Sequence, residues 1–334
     1  MRFVLLLALI VATVAPAAAK GVPRMDHIAI IMLENHSDQT VIGNPNAPKI
    51  TALAHNYAFA AKYYGVTHPS LPNYIAITSG NNWYSNSDDP TQRFDHVNII
   101  DQFEARHISW KAYMEDMPSA GYPENYYVSD PDNALYVIRH NPFALYKDVY
   151  TNPARMRKIV PLGQLTKDLA SGKLPQYMWI SPNICNDMHG MVGKACPYSA
   201  DVLLHKLTDD FVQTWVDRIA HSKGWTRNSV IFVVFDENDY DGNPATGGWL
   251  NAEGCCNAPE VPPNAPFFPK GGVYGGGISP LIVIGGTVKR RYESQTPFNH
   301  YAILRFIEDS WNLPYLGMAS DTINVRSLGE FFSP

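Results

Sequence analysis

The chain has 334 residues, of which 46% are hydrophobic and 17% charged, and its formal net charge is −5 at neutral pH. This composition is typical of a globular protein with a sizeable core. The negative charge argues against broad electrostatic attraction to nucleic acid or to an anionic membrane. The length suits one large α/β domain or two ordinary ones.

The N-terminal residues have the pattern of a secretory signal peptide. Arg2 precedes the uncharged apolar run Phe3–Val14, and a stretch of small residues ends at Ala19. The run is shorter than the roughly 20 apolar residues of a membrane-spanning helix, which disfavours the alternative of a membrane anchor. We therefore expect residues 1–19 to be a signal peptide and residues 20–334 to form a single domain. The protein is expected to be secreted or periplasmic, without stable membrane insertion.

Short apolar runs and amphipathic segments alternate along the chain. The predicted buried strands are His27–Leu33, Gln176–Ser181, Ser229–Phe235 and Pro280–Ile284, and the predicted helices are Ile99–Arg106, Ala200–His221 and Tyr301–Trp311. This alternation predicts an α/β fold with a mostly parallel central sheet sandwiched between helices. The Gly- and Pro-rich segment 238–277 predicts a long loop, which in a compact domain is usually functional or tied down.

Four cysteines in an exported chain suggest two disulfides, and four cysteines allow three pairings. We expect Cys185 to pair with Cys196, because closing this short loop stabilises the fold by about 3 kcal/mol in the chain-entropy model. Cys255 and Cys256 would then form a vicinal disulfide. The alternative links Cys185 and Cys196 separately to the two neighbouring cysteines. A four-cysteine zinc site is disfavoured, because the chain lacks two C-x-x-C pairs.

Polar side chains follow three of the predicted strands. They are Glu34, Asn35, His36, Asn183, Asp187, His189, Asp236 and Glu237. Ligands of parallel α/β sheets bind at the carboxyl ends of the strands, so we expect these groups to lie on one rim. Carboxylates that converge repel one another unless a cation lies among them, and oxygen ligands suit a divalent metal. Ordinary turns explain any single cluster, but three clusters favour a metal or catalytic site.

Ser70 is a candidate nucleophile. It lies between Pro69 and Pro72, shortly before the predicted helical segment Tyr74–Ser79. A hydroxyl near a helix N-terminus is well placed for an anion, although a proline-rich turn with an incidental serine is the simpler alternative. The chain has no G-x-S-x-G motif, which disfavours a secreted carboxylesterase, and it has no nucleotide-binding glycine motif after a strand.

Seven motifs in chain order resemble those of a known family. They are LENHS at 33–37, HPSLPNYIAITSG at 68–80, ISWKAYMEDMP at 108–118, RHNPF at 139–143, SPNICNDMHG at 181–190, VFDENDYDG at 234–242 and NHYAILRFIED at 299–309. The family is that of secreted phosphoesterases, which holds bacterial acid phosphatases and phosphocholine-type phospholipases C within the alkaline phosphatase superfamily. The resemblance spans Asp26 to Leu313 and implies an alkaline phosphatase-like fold.

The resemblance also implies roles for individual residues. The metal ligands would be Glu34, Asn35, Asp236 and Glu237, holding one divalent ion of unknown identity. The catalytic residues would be Ser70, as nucleophile and site of a phosphoserine, and His189 and His300, as candidate acids for the leaving oxygen. The substrate-binding residues would be Asn73, His140, Asn183 and Asp187. A second metal would use Asp187, His189 and His300, although the first two are closer in sequence than in two-zinc relatives.

The expected function is therefore metal-dependent hydrolysis of phosphate monoesters, as in acid phosphatases. Phospholipase C-type cleavage of a phosphodiester is the alternative, so the partner is a small phosphate ester or a phospholipid headgroup, and not nucleic acid. A catalytically inactive secreted binding protein is an alternative of another class. The presence of Ser70 together with Glu34 and Asp236 argues against it.

Overall fold

The computed structural model describes residues 21–128, 130–239, 252–258 and 275–333. The predicted signal peptide and most of the predicted loop 238–277 lie outside these ranges. Within them, none of the helices combines the length and the apolar character needed to cross a bilayer.

The predicted strands and helices are present, with ends that shift by at most four residues. The strands are β1 His27–Leu33, β2 Ala58–Ala60, β3 Tyr63–Tyr64, β4 Trp110–Met114, β5 Ile159–Pro161, β6 Tyr177–Ser181, β7 Ser229–Phe235, β8 Leu281–Gly285, β9 Tyr292–Ser294 and β10 Phe298–Asn299. The α-helices are α1 Asp38–Val41, α2 Pro48–Asn56, α3 Ser70–Ser79, α4 Ile99–Ala105, α5 Pro142–Leu145, α6 Lys147–Tyr150, α7 Pro153–Met156, α8 Gly163–Ser171, α9 Asp201–Ala220 and α10 His300–Trp311. The largest shift is in α3, which begins at Ser70, because Pro72 lies in the first turn, where a missing N–H costs nothing.

Eight of these strands form one mixed sheet in the order β5-β4-β6-β1-β7-β8-β2-β9. The five strands from β5 to β7 in this order pair in parallel. In contrast, β8 is antiparallel to both β7 and β2. The prediction of a mostly parallel sheet is confirmed. The antiparallel direction of β8 was not predicted, because an apolar run does not encode the direction of a strand.

Helices cover both faces of the sheet. Ile28 and Ile30 of β1 lie in one core with residues of α3, α4 and α10, and Ala29 and Ile31 lie in a second core with residues of α2, α8 and α9. Alternate side chains of a strand point to opposite faces, so both faces of β1 must be apolar. Full burial of each isoleucine contributes about 1.5–3 kcal/mol, which explains the uninterrupted apolar sequence.

The sheet order brings three strand ends together. Strand β1 lies between β6 and β7, and Leu33 at its end pairs with Phe235 at the end of β7. The backbone continues these contacts beyond the strands, since Glu34 N donates to Asp187 O at 2.9 Å and Asp236 N donates to Leu33 O at 2.9 Å. The predicted meeting of polar residues at one rim is therefore observed.

The local disulfide pairing is confirmed. Cys185 is bonded to Cys196, with their Cα atoms 5.6 Å apart, and Cys255 is bonded to its neighbour Cys256. The Asn299 side chain donates to the carbonyl oxygens of Cys255 and Cys256 at 3.1 and 3.3 Å. The vicinal disulfide therefore anchors residues 252–258 to the N-terminus of α10.

Glu308 is a buried acid on α10, away from the strand ends. Its Oε1 accepts a hydrogen bond from Leu316 N at 2.8 Å, whereas its Oε2 is buried without a hydrogen-bond partner. Burial raises the pKa of Glu308 from 4.5 to about 9. The folded state therefore holds this proton at pH values where the unfolded state has released it.

We predict that Glu308→Gln stabilises the protein at neutral and alkaline pH. Between pH 5 and pH 9 the folded state binds more protons than the unfolded state, so the wild-type free energy of unfolding falls as the pH rises. A neutral amide removes this penalty, which amounts to about 1–3 kcal/mol at pH 7. Thermal unfolding at several pH values measures the effect. The variant should gain nothing at pH 4, and Glu124→Gln at an exposed position should match the wild type throughout. An equal gain at pH 4 and pH 8 would contradict the explanation.

Candidate active site

Three carboxylates are buried together at the ends of β1 and β7. They belong to Glu34, Asp236 and Glu237, of which none is more than 4% exposed. Asp236 Oδ1 accepts a hydrogen bond from Asn35 N at 3.1 Å, and Asp236 Oδ2 is buried without a hydrogen-bond partner among the described residues. Asn35 has a φ of 52°, a left-handed conformation that asparagine adopts more readily than most residues. This carboxylate cluster contains three of the four residues that the sequence predicted as metal ligands, and the fourth, Asn35, contacts it through its backbone.

Burial makes the charge of the carboxylate cluster costly, and Arg139 offsets it only weakly at Glu34. Burial raises the pKa of all three groups, for Asp236 to about 8, and the charge of Asp236 raises those of Glu34 and Glu237 further. Buried carboxylates that repel one another are stabilised in their ionised form by a cation between them. The buried oxygen of Asp236 and the all-oxygen donor set therefore fit a hard divalent ion.

Ser70 contacts the carboxylate cluster directly. It is the first residue of α3, and its Oγ donates to Glu34 Oε2 at 2.7 Å and lies 3.5 Å from Glu237 Oε1. Tyr74 lies one helical turn further on and donates to the other oxygen of Glu34. The helix thus places the Ser70 hydroxyl and the Tyr74 phenol on the same face, as the spacing of four residues requires.

Asn73 links α3 to the preceding loop and to the carboxylate cluster. Its Oδ1 accepts from Val66 N and Thr67 N, at 2.8 and 3.0 Å. Its Nδ2 donates to Thr67 O at 2.7 Å and to Glu237 Oε2 at 3.1 Å. These contacts hold Glu237 in place, and binding of a phosphoryl oxygen by Asn73 stays a prediction.

His140, Asp187 and His189 lie beside the carboxylate cluster. His140 bridges two acids, with Nδ1 2.9 Å from Asp187 Oδ2 and Nε2 3.3 Å from Glu34 Oε1. Burial lowers the pKa of His140 well below 6.5 and that of His189 to about 3, so both rings are neutral at physiological pH. Glu34, His140 and His189 together form one group whose donor atoms could hold a metal ion.

Arg139 was not singled out by the sequence analysis, although it precedes His140 in the RHNPF motif. Its Nη2 lies 3.4 Å from His189 Nε2, and its Nε is buried without a hydrogen-bond partner. Burial raises the pKa of Asp187, and the charge of Arg139 offsets this only in part. Arg139 thus lies beside His189 of the cavity wall, and a guanidinium is suited to bind an anionic oxygen.

Two predicted site residues are held by other contacts. The Asn183 side chain accepts from Cys185 N at 3.0 Å and donates to Asp116 at 2.7 Å, so it stabilises the turn after β6. His300 Nε2 lies 2.6 Å from Asp236 O, and its Nδ1 lies 2.6 Å from the hydroxyl of Tyr63. Both ring nitrogens of His300 therefore have protein partners, which gives it a positioning contact to the carboxylate cluster. Its predicted catalytic role is untested by these contacts.

A cavity of about 870 Å³ opens above Ser70. Its floor includes Ser70 and Glu237, and His189 lies on its wall. The opposite wall comes from α1 and from the N-terminus of α9, with Tyr198 at the edge. Tyr198 is 55% exposed, so the cavity is open to solvent on that side. A small substrate can reach the Ser70 hydroxyl from this opening.

Solved structures define the class of this fold. A protein of the alkaline phosphatase superfamily from Vibrio parahaemolyticus has a TM-score of 0.50, with 14% identity over 90% of this chain and 69% of that chain. Murine ectonucleotide pyrophosphatase/phosphodiesterase 5 has a TM-score of 0.52, with 10% identity over 92% of this chain and all of that chain. The architecture is the α/β fold of the alkaline phosphatase superfamily.

Residues 44–314 match the model of the phosphoesterase family, and the chain belongs to that family. It is 29% identical to a phosphate-repressible acid phosphatase of Penicillium chrysogenum, over 87% of this chain and 60% of that protein. It is 27% identical to a phosphatidylinositol-3-phosphatase of Mycobacterium tuberculosis, over 93% of this chain and 85% of that protein. The chain spans about three-fifths of the length of its fungal relatives. The resemblance found in the motifs is confirmed at the level of the family.

We predict that Arg139→Gln weakens the binding of inorganic phosphate by about 10- to 100-fold, because it removes a charged donor worth about 1.5–3 kcal/mol. Arg139→Lys should restore part of the affinity, since it keeps the charge but loses the planar fork. Calorimetric titration with phosphate gives the affinities. Arg157→Gln at an exposed position is the matched control and should bind like the wild type. Equal affinity of the wild type and Arg139→Gln would show that Arg139 does not contact the anion.

Proposed function

We propose that the chain is a metal-dependent phosphomonoesterase with Ser70 as its nucleophile. The observation that carries this proposal is the 2.7 Å contact between Ser70 Oγ and Glu34 Oε2, at the floor of an open cavity. Burying three carboxylates against a hydroxyl does not stabilise the fold, because the burial of these acids costs free energy. The same arrangement is useful if it holds a cation next to a nucleophile.

The proposed metal ligands are Glu34, Asn35, Asp236 and Glu237. When bound there, a divalent ion lowers the pKa of the Ser70 hydroxyl and neutralises charge on the phosphoryl group. Ser70 Oγ attacks phosphorus, the bond to the leaving oxygen breaks, and water in the cavity takes up the serine proton that Glu34 Oε2 holds by a hydrogen bond in the resting state. Water then attacks the phosphoserine, which releases phosphate and returns a proton to Ser70 Oγ.

The neighbouring side chains stabilise charge on the phosphoryl oxygens. Arg139 supplies the positive charge, and His189 orients it through the 3.4 Å contact between their nitrogens. His189 Nδ1 lies 2.8 Å from Gly190 O and therefore carries the ring proton, so its Nε2 accepts from Arg139. These contacts support an orienting role for His189, with solvent in the open cavity protonating the leaving oxygen. His140 lies between Asp187 and Glu34 and positions the Glu34 carboxylate.

The relatives support the choice of monoesters. Their printed names include an acid phosphatase and a phosphatidylinositol-3-phosphatase, and both names describe removal of a terminal phosphate. We therefore place phospholipase C-type cleavage second. The two disulfides support an exported location, because structural disulfides persist in oxidising compartments. An inactive binding protein is disfavoured by the convergence of the nucleophile and the carboxylate cluster.

We predict that Ser70→Ala lowers kcat for phosphate monoesters by at least about a thousandfold while the protein stays folded. The variant lacks the only atom proposed to bond to phosphorus, yet keeps the carboxylates. Steady-state kinetics on a panel of mono- and diesters, with and without a chelator, measure the effect. Ser79→Ala on the same helix is the matched control.

Monoester turnover that survives Ser70→Ala within tenfold would exclude Ser70 as nucleophile. Activity of the wild type that favours diesters would instead move the function to the phospholipase C-type alternative. Activity that a chelator leaves unchanged would argue against the metal.

A further inference from the structure

A second group of possible metal ligands lies on the wall of the same cavity, apart from the carboxylate cluster. It consists of His36, in the turn after β1, and of Asp201 and His205, which are one turn apart on α9. One donor atom from each residue lies within 4.8 Å of the other two. All three residues line the cavity. We call this group the wall triad.

Backbone carbonyls set the orientation of both imidazoles. His36 Nδ1 lies 3.1 Å from Glu34 O, and His205 Nε2 lies 3.1 Å from Thr40 O. A carbonyl oxygen only accepts, so His36 Nδ1 carries the ring proton and His36 Nε2 presents a lone pair. In His205 both ring nitrogens lie near carbonyl oxygens, so its Nδ1 can act as a ligand only in the tautomer with the proton on Nε2. This is how imidazole ligands of metal ions are usually oriented by the surrounding protein.

The remaining donor atoms converge on one carboxylate. His36 Nε2 lies 3.6 Å from Asp201 Oδ1, and His205 Nδ1 lies 3.2 Å from the same oxygen. His205 Nδ1 is also 2.9 Å from Asp201 O. In the tautomer of His205 with its proton on Nε2, two lone pairs and a carboxylate therefore face one another with no proton between them. Such an arrangement repels itself unless a cation occupies its centre.

The properties of the wall triad suit a particular class of ion. His205 is only 1% exposed, whereas the side chain of Asp201 is 63% exposed. Two imidazoles and one carboxylate are a typical ligand set for Zn²⁺ with an open fourth position. The all-oxygen carboxylate cluster, in contrast, suits a harder ion.

We propose that His36, Asp201 and His205 bind a zinc-class divalent ion on the cavity wall, with an open coordination position for an anionic oxygen of the substrate. Binding of the ion is independent of the proposed phosphatase activity. The role of the ion toward substrate rests on the proposed phosphatase activity. In that role the ion favours phosphate esters whose leaving group carries a second anionic group. Neither the spacing of the three residues nor their motifs predicted this site.

The test is metal binding by the full chain after removal of metals with a chelator. Titration with Zn²⁺ and with Co²⁺, followed by calorimetry and by the visible absorption of bound Co²⁺, counts the sites and identifies nitrogen ligands. We expect two sites in the wild type. Asp201→Asn and His36→Gln should each weaken one site by about 100-fold and lose the tetrahedral Co²⁺ bands. Asp236→Asn should weaken the other site and keep these bands.

Asp210→Asn is the matched control, because Asp210 is an exposed acid on the same helix. It should bind both ions like the wild type. The proposal is overturned if Asp201→Asn and His36→Gln bind Zn²⁺ with wild-type stoichiometry and affinity, or if the wild type shows no nitrogen-ligated Co²⁺. If the wild type shows no nitrogen-ligated Co²⁺, a proton on His205 takes the place of the ion. Failure of the proposed function is a separate outcome, since it is measured by the turnover of Ser70→Ala.

Discussion

The burial of three carboxylates beside one hydroxyl is the constraint on which the rest of this site depends. Glu34, Asp236 and Glu237 would separate if the backbone allowed it, because desolvated like charges are among the costliest arrangements in a protein. They cannot separate, because β1 and β7 pair along their whole length and end side by side. Helix α3 then adds Ser70 and Tyr74 as donors to the same acid. The rigid sheet thus maintains a charge arrangement that a bound cation stabilises.

The parts of the fold that the sequence predicted are those buried on both sides. The strand His27–Leu33 is found with its predicted bounds, as is Ser229–Phe235, because each is a continuous apolar run covered by two helix layers. The strand Trp110–Met114 was missed, since Lys111 interrupts its apolar pattern and pairs with Asp168 of a neighbouring helix. The apolar pattern also did not predict the direction of β8. The direction of β8 depends on the edge of the sheet that the chain reaches after residues 238–277. Tertiary packing decides this, and the local sequence does not.

The site was predictable where strand ends determine it. Glu34, Asp236 and Glu237 follow two apolar runs, and parallel pairing alone brings them together. Ser70 depended on the family motifs, because a serine between two prolines has no distinctive pattern of its own. Arg139 was missed because its importance lies in its contacts with residues distant in sequence. The wall triad was missed for the same reason, as it joins the turn after β1 to α9 across the cavity.

Anomalous diffraction from crystals of the active protein tests the central claim most directly. Data collected on either side of the absorption edge of the metal identified by elemental analysis locate each ion without reference to activity. We expect an anomalous-difference peak of nearly full occupancy among Glu34, Asp236 and Glu237, with the carboxylate oxygens at about 2.0–2.6 Å from the ion. It also predicts that Ser70 Oγ is adjacent to that ion. A crystal of fully active enzyme without an ion between these three carboxylates would contradict the account.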